Sequence, residues 1–72
     1  MSREQDKQAI EALHHGQHCY IVWFEDGGGE VYRIWDTLIL FEIPLYGGKG
    51  SHAGTFHINE VNKLLDLAHS WT

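Results

Sequence analysis

Seventy-two residues carrying ten acidic and five basic side chains, a formal charge of −5, make one domain over residues 1–72 and leave no basic face to follow a phosphate backbone or an anionic membrane. A single cysteine, Cys19, excludes an intrachain disulfide, and the polar, mixed-charge start MSREQDKQ is not a signal peptide. With its longest apolar run, residues 38–41, far too short to span a bilayer, the chain is expected in the cytoplasm.

A chain of this size buries only about 60% of the surface its unfolded form exposes. Three Trp, three Tyr and three Phe offset that shortfall, because each ring removes much apolar area from water. Self-association into a homodimer is a second source of burial.

Residues 3–15 read as a helix. Ser2 and Gln5 have the capping-box spacing, and Glu4 and Asp6 lie in the first turn, where the helix dipole favours negative charge. His14 and His15 fall in the last turn, with Gly16 as the residue after the cap. Residues 18–25, HCYIVWFE, are β-branched and aromatic and short enough for a strand. Asp26-Gly27-Gly28-Gly29 reads as a hairpin turn, which sets Glu25 opposite Glu30 and Trp23 opposite Tyr32.

Residues 30–46, EVYRIWDTLILFEIPLY, read as one long central strand. Its odd positions, from Val31 through Trp35, Ile39, Phe41 and Ile43, form the more apolar set and are expected to face the helices. Pro44 should lie at a strand margin, since it donates no ladder hydrogen bond. Residues 46–54 form a long glycine-rich turn and 55–58 a short last strand. Asn59 caps a second helix over 60–70, whose stripe is Val61, Leu64, Leu65, Ala68 and Trp71. The expected fold is α+β: a three-stranded antiparallel β-meander with an N-terminal and a C-terminal helix.

Four constellations invite a chemical reading. Six histidines, with Cys19 beside His18, raise a histidine-based metal site, yet none of the zinc-ligand spacings occurs, so no metal ligand is assigned. Cys19 as a nucleophile needs a water-excluding pocket that a small sheet rarely supplies, so no catalytic residue and no cofactor is assigned either. The segment Gly47-Gly48-Lys49-Gly50-Ser51 lacks the phosphate-loop spacing and leads into a strand. Aromatic rings on strands can stack single-stranded bases. The order helix, three strands, helix resembles that of double-stranded-RNA-binding domains, but where those carry a lysine cluster this chain has Asn59-Glu60-Val61-Asn62-Lys63.

The function expected from these features is a non-enzymatic protein-interaction module. It suits an inhibitor or adaptor encoded by a phage or other mobile element. The partner, a protein of unknown identity, is expected on Trp23, Tyr32 and Ile34 of a sheet face and on the acidic residues Glu25, Asp26 and Glu30. The alternatives are a metal-binding protein using the histidines and a single-stranded nucleic-acid binder. Periodicity leaves open whether both helices cover one face of the sheet or one helix covers each.

Overall fold

The structure, a computed structural model, describes residues 2–24, 27–44 and 49–71, apart from the side chains of residues 23 and 24. Helix α1 (Arg3–Glu11) is followed by strands β1 (His18–Phe24), β2 (Gly27–Ile34), β3 (Thr37–Pro44) and β4 (Ser51–His57), then by helix α2 (Val61–His69). The strands form one antiparallel sheet in the order β1-β2-β3-β4. The fold is α+β as expected, with four strands instead of three. Among the described residues no helix is long and apolar enough to cross a membrane.

The extra strand comes from a turn at Trp35-Asp36, which divides residues 30–46 into β2 and β3. Ile34 pairs with Thr37 across it, and Arg33 with Leu38. A two-residue turn reverses the alternation of side chains. The odd positions of β2 and the even positions of β3 therefore share a face, through the pairs Val31–Leu40 and Arg33–Leu38. Ile39, Phe41 and Ile43 point away from the helices, opposite to expectation, and Trp35 lies in the turn with 71% of its surface exposed.

The first hairpin is also displaced. Tyr20, not Glu25, pairs with Glu30, and Ile21 pairs with Gly29. Gly27–Gly29 belong to strand β2 and not to the turn. A methyl group on Gly29 would lie 3.2 Å from the Ile21 side chain and 3.3 Å from the Trp71 ring. The missing side chain gives room for the close approach of Trp71 to the sheet. Val22 sits at an irregularity of β1 with φ 53, which brings it and Ile21 into the core together.

Both helices lie on the same face. Ile10 from α1, Leu13 from the loop after it, and Val61, Leu64, Leu65 and Ala68 from α2 share one core with Ile21, Val31, Leu38 and Leu40. Helix α1 begins with the expected capping box: Ser2 Oγ accepts from the Gln5 amide at 3.2 Å, and Gln5 Oε1 accepts from the Ser2 amide at 3.3 Å. It stops at Glu11, capped by Ala12, so His14 and His15 lie outside it. The Gly16 amide donates to the Arg33 carbonyl at 2.8 Å, and the Arg33 amide to Gln17 at 3.0 Å, which extends the β1–β2 pairing into the loop. Before α2, residues Ile58–Glu60 make a 3-10 turn capped by His57, whose Nδ1 accepts from the Asn59 amide at 3.1 Å; Asn59 is not the cap. Strand β4 starts at Ser51, earlier than residue 55, and Pro44 ends β3 at the strand margin as expected.

Candidate functional site

With both helices on one side, the other side of the sheet is open among the described residues, apart from Gly50, which lies against Ile43. The register assigns its residues. His18 and Tyr20 come from β1; Glu30, Tyr32 and Ile34 from β2; Ile39, Phe41 and Ile43 from β3; His52 and Thr55 from β4. A row of rings crosses all four strands. Tyr20 meets His18 edge-on at 5.8 Å, and His18 lies 5.1 Å from Tyr32. Tyr32 meets Phe41 edge-on at 5.6 Å, and Phe41 meets His52 at 5.9 Å. Such offset and edge-on contacts are favourable ring geometries. Beside this row, Ile34, Ile39 and Ile43 join Tyr32, Phe41 and Glu30 around an open groove of about 410 Å³.

Glu30 is the charged group of the face. It is only 8% exposed, covered by its neighbours across the strands. Hydrogen bonding to its carboxylate raises the Tyr20 and Tyr32 phenols above their ordinary value of 10.0. His18 Nε2 stands 3.8 Å from Glu30 Oε2. None of the strand residues turned to this face is a lysine or an arginine. Arg33, on the opposite parity, donates to the carbonyls of Leu13 and Trp35 instead, at 2.8 and 2.7 Å.

Three of the residues expected at the site, Glu30, Tyr32 and Ile34, are brought together on this face and line one groove. Ile34 is 42% exposed and Tyr20 49%. Glu25 and Asp26, and the side chain of Trp23, lie outside the described residues. His18, Ile39, Phe41, Ile43 and His52 also belong to the face, but sequence reasoning did not place them there. The available signal was Asp36, a residue that favours turns: a reversal there moves the odd positions of β3 to the open side.

Cys19 and the histidines make structural contacts, and residues 47 and 48 of the glycine-rich segment lie outside the described residues. Cys19 packs against the core on the helix side. Burial, then the nearby charges of Asp6 and Glu30, push its thiol up to about 11, the reverse of what a nucleophile needs. Histidine rings are used singly: His15 by the Trp35 amide, His52 by Thr55, His57 as a cap and His69 by Asp6. Among the described residues no three His, Cys, Asp or Glu side chains converge as metal ligands would.

No family model, curated protein or solved structure matches this chain. What it does is therefore argued from the open face.

Proposed function

We propose that this protein is a non-enzymatic protein-interaction module that receives its partner on the open sheet face. The observation that carries this reading is the row of rings and the isoleucine groove, which neither helix covers because both pack on the other side. A contiguous apolar face rimmed by polar groups marks an interface more often than a solvated surface. Aromatic side chains supply large, stiff contact area, which concentrates binding energy in few residues. The small size and acidic excess suit an inhibitor or adaptor acting in the cytoplasm, of the sort a phage or other mobile element carries. Self-association through the same face, giving a homodimer, belongs to this reading as well.

Rings on a sheet also suit stacked bases. The carboxylate of Glu30 among them, and the lack of any lysine or arginine on the strand positions of this face, weigh against a phosphate backbone.

The test is a comparison of the full chain with its Ile39→Asp variant. Light scattering and affinity capture from the native host should show a partner, or a second copy, held by the parent chain and lost in the variant. Circular dichroism should show both folded, since Ile39 is not in the core. A parent chain that stays monomeric and captures nothing, or a variant that captures equally well, would refute the docking role.

A further inference from the structure

The open face has a charge imbalance that the fold itself does not correct. Glu30 is nearly covered, and a covered carboxylate loses hydration that hydroxyl donors only partly replace. Its nearest imidazole, His18 at 3.8 Å, lies beyond hydrogen-bonding distance and carries charge only when protonated. Tyr20 and Phe41 are its partners across the neighbouring strands and Tyr32 follows it on the same face of β2, and aromatic faces attract cations through their quadrupole. One carboxylate flanked by three such rings favours a cation on two independent grounds.

Resting on the docking reading above, we infer that the partner segment seated on this face presents an arginine to Glu30 and an aliphatic side chain to the isoleucine groove. A guanidinium is planar and weakly hydrated, so it stacks on Tyr or Phe while its N–H groups donate to a carboxylate. The neighbouring pair across the strands is Tyr32–Ile39, directly beyond Glu30–Phe41. In an extended segment, side chains on one face recur about every 7 Å, which matches the step from one such row to the next. An arginine and an aliphatic residue two positions apart therefore fill both subsites. The net charge of −5 steers a basic partner in the same sense. A second copy of this chain fits less well. A two-fold contact sets like face on like face, and this face brings no lysine or arginine of its own from its strands.

The full chain, isotopically labelled, is titrated in the magnet with extended synthetic peptides of alternating arginine and isoleucine. A second peptide replaces arginine by citrulline, its neutral isostere, and the series is repeated on the Glu30→Gln variant. The arginine peptide is expected to shift the resonances of Tyr20, Glu30, Tyr32 and Phe41. The citrulline peptide and the variant are each expected to bind about tenfold more weakly. Equal affinity for the arginine and citrulline peptides at those resonances overturns the cation subsite and leaves the docking face standing. No shift on the face with any peptide overturns both. A tighter response of the same resonances to oligouridylate overturns both in favour of a nucleic acid. Concentration-dependent shifts of the face without peptide assign it to self-association and overturn the basic partner. Should Glu30→Gln fail to fold, the comparison of the two peptides on the parent chain decides alone.

Discussion

Glu30 acts on ionisable groups on both sides of the sheet. It raises Tyr20 and Tyr32 on the open face and contributes, after burial and Asp6, to the rise at Cys19 on the helix side. The folded chain holds the phenolic protons of Tyr20 and Tyr32 more tightly than the unfolded chain does. The stability linked to them is therefore fully present below their ordinary value of 10.0 and is lost as pH rises through the folded values. In Glu30→Gln the tyrosinate absorbance of both residues should appear at lower pH than in the parent chain. Identical alkaline titrations would mean that the carboxylate does not reach the hydroxyls. A Tyr46→Phe background removes the tyrosine outside the described residues. Cys19 gives a second measurement. With a thiol at about 11 against an ordinary 9.0, the thiolate fraction at neutral pH falls about a hundredfold. Alkylation followed by mass spectrometry should be correspondingly slow in the folded chain and recover in urea. Alkylation as fast as that of a free cysteine would contradict the burial.

The element that decides the architecture is the turn between β2 and β3. Trp35 adopts φ 53, which costs an L-residue roughly 1–2 kcal/mol. Contacts from elsewhere hold it there. Its amide donates to His15 Nδ1 at 3.0 Å, and its ring stacks on the His15 imidazole at 4.1 Å with 11° between the planes. Arg33 Nε donates to its carbonyl, and the Ile58 amide donates to the Asp36 carbonyl at 2.9 Å. His15→Ala removes the stack and one acceptor, and urea unfolding should show a loss of about 1–2 kcal/mol. The loss should shrink in a Trp35→Gly background, where glycine has no ring to stack and accepts the positive φ freely. An undiminished loss there would mean that the stack contributes nothing. This turn also marks where the sequence stops being legible. Residue types placed β1 near 18–25 and the stripe of α2 on Val61, Leu64, Leu65 and Ala68, because local composition and spacing determine both. The reversal at Trp35-Asp36 is announced only by Asp36, with no glycine, proline or asparagine beside it. That signal is weak in the middle of a strand-favouring run, and the contacts that hold the turn come from His15, a residue distant in the chain. Without the reversal Ile39, Phe41 and Ile43 fall on the wrong side, and the β3 part of the candidate face is hidden.

At the scale of the whole molecule, the two helices close the chain. Asp6 is 1% exposed and lies 3.1 Å from His69 Nε2. Arg3 reaches Asp66 at 2.7 Å and the Asn62 carbonyl at 3.0 Å. The two contacts differ in weight. An exposed pair such as Arg3–Asp66 contributes about 0–1 kcal/mol, whereas removing a buried hydrogen-bonded acceptor costs about 1–3 kcal/mol. Asp6→Ala should therefore lower the midpoint of urea unfolding clearly more than Arg3→Ala does; equal effects would show the clasp to be dispensable. The clasp has a kinetic side too. Each strand pairs with its neighbour in the chain, whereas Asp6 and His69 are 63 residues apart. Free energies of local opening differ along a chain, and α1, held by Ile10 in the core, by Arg3 and by this closure, can detach while the meander stays folded. Cys19 lies on the helix side of the sheet, near enough to Asp6 to feel its charge. Its alkylation would then serve as a clock for the unlatching of α1. In Asp6→Ala that clock should run faster while the amides of β2 and β3 keep their protection from hydrogen exchange, and the aromatic face would remain assembled through every excursion of the helix.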